Sequence, residues 1–191
     1  MRAYKGLLLL LGWILSTLTL SAQTTQAEAR KVWEEYVQNK KELSEEELEM
    51  DERNILRVEM LSSDELLVMT SEEEINLTAK EFREFIQYFL YNPDLLESYP
   101  EKKDKKFPHI GEQEVLSRHV IYFLYEKHLD KKSVDFCIHE MVAAYMDLRN
   151  NIAQGLYEKD LKLLDAATQK EIMECYPLSI EVSDYDETEE G

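Results

Sequence analysis

The sequence predicts an all-α protein, an irregular helical bundle or a short stack of helical hairpins, with room for one minor β-hairpin. Three observations point that way. Glycine and proline are scarce: beyond residue 22 there are three Gly (Gly111, Gly155, Gly191) and four Pro, whereas all-β folds need many turn residues. Ser or Thr followed three residues later by Glu, a pairing that satisfies the orphan amides of a helix start, recurs at Thr25/Glu28, Ser44/Glu47, Ser62/Glu65, Ser71/Glu74, Thr78/Glu81 and Thr168/Glu171. Several of these starts lead into apolar residues at helical spacing.

Residues 1–22 stand apart from the rest. Arg2 and Lys5 precede an apolar run from Leu7 to Leu15, and Ser21-Ala22 closes it, the grammar of a secretory signal peptide cut after Ala22. The run is shorter than the roughly 20 residues a bilayer span needs. A secreted or periplasmic protein, with no stable membrane insertion after cleavage, is the expectation.

From Thr25, Ala29, Val32, Trp33, Tyr36 and Val37 form one helix face. Residues 42–52 are mostly acidic and read as a short solvated helix or linker. Across 55–70 two short helices are expected, because Ser62/Glu65 has the form of a helix start; a hairpin around Ser62-Ser63-Asp64 is the alternative. Thr78 then caps a helix with Phe82, Phe85, Ile86 and Phe89 at i, i+3, i+4 and i+7. Asn92-Pro93 ends it. Residues 101–111 read as a loop holding Lys102, Lys103, Lys105 and Lys106. A helix is expected over 112–129, buried on most sides because Val120 to Tyr125 is wholly apolar or aromatic. The next follows Ser133 through Val134, Ile138, Met141, Val142, Tyr145 and Leu148. Asn150-Asn151 should break it, and 152–176 should return to helix, split near Thr168, until Pro177. Residues 23–180 thus form a single helical domain, and 181–191 an acidic tail expected to be disordered.

Tyr-Phe-Leu-Tyr occurs twice, at 88–91 and 122–125, and 34 residues is the period of some helical-hairpin repeats. Phe82 aligns with Leu116 and Ile86 with Val120, but no third copy follows. Residues 155–161 resemble the turn and second helix of a tetratricopeptide repeat. Asp160 stands where that pattern needs a small residue, so the resemblance assigns no family and leaves a stack of such hairpins as the alternative architecture.

The full chain carries 22 basic and 40 acidic residues, and loss of Arg2 and Lys5 with the leader takes the net charge to about −20. This excess argues against nucleic acid and anionic membranes and permits a basic protein or peptide partner. Chemistry-bearing motifs are sparse. His109, His119, His128 and His139 lie within 31 residues, among Glu114, Asp130, Asp135, Cys137 and Glu140. A metal-dependent enzyme using the 109–140 region, with His119, His128 and His139 as ligands, is the alternative function. His139-Glu140 begins like His-Glu-x-x-His, but Ala143 occupies the second ligand position. No Gly-x-Ser-x-Gly elbow or glycine-rich phosphate loop occurs, and no cofactor is assigned. Cys137 and Cys175 could pair in an oxidising compartment. Tyr88, Tyr91, Tyr122 and Tyr125 sit beside apolar neighbours, where a half-buried ring with a wet hydroxyl suits an interface. The leading expectation is a non-enzymatic protein- or peptide-binding module using these four tyrosines, its oligomeric state left open.

Overall fold

A computed structural model describes residues 23–40 and 50–186. The signal-peptide reading of 1–22, most of the acidic run at 42–52 and the end of the acidic tail lie outside these residues. The described chain is not all-α. It is mixed α/β, with a five-stranded sheet and a two-stranded hairpin, which overturns both the bundle and the helical-hairpin stack.

Helix α1 (Gln26–Asn39) starts at the capping box expected of Thr25 and Glu28: the Glu28 carboxylate accepts from the Thr25 amide at 3.1 Å and hydroxyl at 2.9 Å. Strands β1 (Ile55–Met60) and β2 (Glu65–Met69) replace the two helices expected over 55–70. The period decides this. Leu56, Val58 and Met60 point inward while Arg57 is exposed and Ile55 and Glu59 are half-buried, an alternation of two that no helix face can satisfy. Ser62 caps no helix; its amide and that of Leu61 donate to Glu65 O in the hairpin turn. Strand β3 (Glu74–Thr78) extends the meander and runs directly into helix α2 (Ala79–Tyr91). Here the second capping box is present, Glu81 accepting from the Thr78 amide at 3.0 Å and hydroxyl at 2.8 Å.

Strands β4 (Lys102–Phe107) and β5 (Gly111–Leu116) form the separate hairpin, where a basic loop and the start of a helix were expected. Strand β6 (Val120–Glu126) takes the rest of that expected helix. Helix α3 (Lys131–Tyr157) follows as foreseen from Ser133 but runs through Asn150-Asn151, 27 residues or about 40 Å. Asn150 does not break it; its side-chain oxygen accepts from the Leu161 amide at 2.8 Å. Helix α4 (Ala166–Cys175) precedes Pro177, and strand β7 (Ile180–Tyr185) carries regular pairing into the stretch read as a tail.

The sheet order is β3-β2-β1-β6-β7, antiparallel up to β1 and parallel from there. Parallel neighbours cannot be joined by a tight turn, and α3 with α4 supplies the long connection from β6 to β7. In-register pairs such as Leu56 with Ile121 and Val58 with Phe123 build one continuous apolar face. It shares a core with Phe82, Ile86 and Phe89 of α2 and Met141, Val142 and Tyr145 of α3. On the other face Arg57, Asn76 and Ser183 are exposed, and Leu67, Met69, Tyr122 and Leu124 half-buried.

Helices α1, α2 and α3 meet around a polar seam. Asp147 accepts from Arg83 at 2.8 Å, Gln87 at 2.8 Å and the Thr24 amide at 2.9 Å, while the Arg83 guanidinium donates to Thr24 O at 2.8 Å. Gln26 donates to Glu140 beside them. Burial raises the Glu140 carboxyl above its usual range, opposed by Arg83 and Gln26.

Candidate functional site

The β4–β5 hairpin stands off the main sheet and is fastened at its turn. Glu171 of α4 accepts from the His109 amide at 2.9 Å and the Ile110 amide at 3.1 Å, and meets His109 Nδ1 at 2.6 Å. Tyr157 at the end of α3 donates to His109 O at 3.0 Å, and Lys105 pairs with Glu174 at 2.8 Å. Burial pushes the Glu171 carboxyl up, but the bonds from His109 and Ile110 outweigh it and hold the pKa below the ordinary value. The same hydrogen bond and charge raise His109.

Cross-strand register then sorts the hairpin's charges. Asp104 lies opposite Glu114 and Lys106 opposite Glu112, on the face that also carries Lys102. This face closes an open cleft of about 360 Å³ against Tyr91 at the end of α2, Ile152 of α3, and Tyr176 just after α4. Asp104, Glu112, Glu114 and Gln113 supply its polar side. The Lys102 side chain is 8% exposed, its ammonium 4.5 Å from the Tyr91 ring centroid and 3.3 Å from the Glu114 carboxylate. The cleft therefore offers carboxylates and phenols to a cation, and its lining holds no Ser, Thr, Cys, His or Lys.

Behind the cleft lies a buried polar cluster. Arg149 of α3, 4% exposed, donates from Nε and one terminal nitrogen to Tyr176 O at 2.9 and 2.7 Å, which fixes Tyr176 where α4 ends. Desolvation lowers the Arg149 guanidinium to about 10. One turn earlier on α3, the Tyr145 hydroxyl lies 2.8 Å from His119 Nε2, and His119 Nδ1 lies 3.2 Å from Ser117 O. The carbonyl can only accept, so Nδ1 carries the proton and Nε2 accepts from Tyr145. Burial is the main reason that His119 falls to about 4; Ser117 opposes and Arg149 reinforces it.

The four candidate tyrosines do not share a groove. Tyr91 alone lines the cleft. Tyr88 is buried, bonded to Asp94 at 2.5 Å; Tyr122 lies on the half-open sheet face; Tyr125 packs against Phe123 on the core side. The histidines are also dispersed. His109 is at the hairpin turn, His119 inside, His128 paired with Glu126 at 2.7 Å on the surface, and His139 in the first half of α3 in the field of Asp135 and Arg30. Among the described residues no group of three or more His, Cys, Asp or Glu is placed to hold a metal ion. Cys137 and Cys175 are free and buried. Cys175 lies in the field of Arg149, which stands about 18 Å along α3 from Cys137. Burial pushes the two thiols up to about 12 and about 11. Sequence reasoning missed Asp104, Glu112 and Tyr176.

Fold and site together define a class: a mixed α/β domain with an acidic, tyrosine-walled cleft beside its sheet. Comparison of the chain with family models, with curated proteins and with solved structures gives no match in any of the three. Among the described residues no helix is long and apolar enough to cross a membrane.

Proposed function

We propose that this protein is a non-enzymatic module that holds a basic segment of a partner protein or peptide in the cleft between the β4–β5 hairpin and helices α2 and α3, and that it acts outside the cytoplasm, as the leader-like residues 1–22 imply. The observation that carries the reading is the cleft wall itself, where Asp104, Glu112 and Glu114 face the rings of Tyr91 and Tyr176. Carboxylates attract a cation, and phenol rings add apolar area with a polar tip. The thiols support a non-enzymatic role, since burial keeps both protonated and unreactive.

Magnitude shapes the kind of partner. An exposed ion pair contributes about 0.2–1 kcal/mol, so one cationic side chain is held weakly. A partner presenting several in sequence gains by effective concentration. The test is a titration of the ¹⁵N-labelled protein with deca-lysine and deca-arginine at low and at physiological salt. Shifts centred on Tyr91, Gln113 and Tyr176, weakened by salt and by Glu112→Gln, are expected. Shifts spread evenly over the acidic surface and indifferent to Glu112→Gln would refute the cleft as the site.

A further inference from the structure

The Tyr176 hydroxyl identifies what the cleft is built to receive. Tyr176 is 6% exposed, yet no described residue hydrogen-bonds its phenol oxygen, while among the described residues every fully enclosed side-chain nitrogen or oxygen has a partner. That oxygen is therefore the point at which the ring opens onto the cleft. Its surroundings agree: the Glu114 carboxylate, whose charge acts on the phenol, lines the cleft with it, as does Tyr91. Burial leads in raising its pKa, so the hydroxyl stays protonated and can donate to a carboxylate while accepting from a ligand.

We infer that the cleft is a seat for an alkylammonium, the side chain of a lysine presented by a peptide, held by the Tyr176 hydroxyl with Asp104 and Glu114. An ammonium has three donors that rotate to meet acceptors converging from different directions. Asp104 and Glu114 are direct cross-strand partners, which puts their side chains beside one another, and the phenol approaches from the α4 side. A guanidinium fits less well. It favours a flat stack on an aromatic face, and the Lys102 ammonium already occupies one face of the Tyr91 ring. Lys102 shows the selected chemistry within the chain itself, a primary ammonium shared between a tyrosine ring and a carboxylate of this cleft. It is also an internal competitor, because it draws on Glu114.

This inference rests on the cleft reading above, and its test separates the two. Acetyl-Gly-Lys-Gly-amide, its Nε-acetylated form, acetyl-Gly-Arg-Gly-amide and putrescine are titrated into the ¹⁵N-labelled protein. The lysine peptide should shift Tyr91, Gln113 and Tyr176, and the acetylated form should not. The arginine peptide should bind about tenfold more weakly, and Tyr176→Phe should weaken the lysine peptide about tenfold, the loss of one hydrogen bond to a charged group. Lys102→Met should tighten the lysine peptide, an effect that misfolding cannot produce, while Tyr122→Phe on the far sheet face should change nothing. Equal binding of lysine and arginine peptides would overturn the inference and leave the cleft reading standing. So would oligolysine binding with no response to the single-lysine peptide. Putrescine binding without the lysine peptide would overturn the peptide source, and no response to any cation, deca-lysine included, would sink both readings.

Discussion

Acid should unfold this protein earlier than its carboxylates alone require, and His119 is the reason. The imidazole is 3% exposed, donates its Nδ1–H to Ser117 O and accepts from Tyr145, and has the Arg149 guanidinium nearby. A second proton would place a charge in that enclosure, so the folded pKa is about 4 against the ordinary 6.5. Below 6.5 the unfolded chain takes up a proton that the folded chain refuses, so stability is lost as pH falls and the loss is complete below about 4. The interval corresponds to about 3 kcal/mol in all, with about 2 kcal/mol gone between pH 7 and pH 5. Over the same range His139, lowered by desolvation, acts in the same sense and His109, raised by Glu171, in the opposite one, and Glu28, Asp165 and Glu171, all lowered, begin to lose their contribution near and below 4.5. A His119→Gln variant keeps a donor and an acceptor at the site and does not titrate, so subtracting its curve cancels those other groups. Urea denaturation of both proteins at pH 7, 6 and 5 measures the difference. The wild type should lose about 2 kcal/mol more than the variant. Parallel curves would refute the assignment of a buried neutral imidazole.

The other expectations follow from single contacts. Glu171→Gln should release the hairpin turn, so that amide exchange in β4 and β5 accelerates while β1 and β6 stay protected. The clasp itself should be tightest between about pH 4.5 and 6.5: Glu171's contribution is lost as pH falls through its lowered value, and His109's as pH rises through its raised one. Thr78→Ala removes one half of a capping box and should cost about 1 kcal/mol in urea denaturation. Both thiols should resist a water-soluble disulfide reagent in the folded protein and react once it is unfolded. Fast modification of either in the native state would contradict their burial.

Capping chemistry was the most legible signal in this sequence and also the most misleading one. Of the six Ser/Thr-x-x-Glu matches, Thr25/Glu28 and Thr78/Glu81 do start helices. Ser62 and Ser71 sit in turns of the β1-β2-β3 meander, where short polar side chains serve strand connections equally well. At Thr168/Glu171 the cap belongs to Asp165, whose carboxylate takes the Ala167 and Thr168 amides, and Glu171 is free to hold the hairpin. Scarcity of glycine misled for a related reason. The β4–β5 turn meets its conformational demand with Gly111 alone, at φ +73°, and the β1–β2 turn has no positive-φ residue at all. Of the cleft's lining, Tyr91 alone was among the binding candidates. Tyr91 was visible as an aromatic beside a helix end, whereas Tyr176, Asp104 and Glu112 converge through tertiary placement that no local pattern encodes.

The repeated Tyr-Phe-Leu-Tyr shows where local reading gives way. At 88–91 it is the last turn of α2; at 122–125 it is the centre of β6. The difference lies outside the four residues. Upstream of the first copy, Arg83, Glu84 and Gln87 space Phe82, Phe85 and Ile86 at helical intervals behind a capping box, so the preference for one face is established before the tetrapeptide is reached. Upstream of the second copy stand Val120 and Ile121, β-branched and unbroken by any polar residue. An uninterrupted apolar run carries no period, and it is what a parallel strand with neighbours on both edges looks like. Length should have arbitrated, since seven residues from Val120 to Glu126 suit a strand and fall short of a buried helix. The same placement separates the tyrosines: the helical copy delivers Tyr91 to the cleft, while strand alternation sends Tyr122 and Tyr125 to opposite faces of the sheet. Two identical tetrapeptides therefore contribute a single residue to the site, and the ring that completes it, Tyr176, comes from a part of the chain with no repeat.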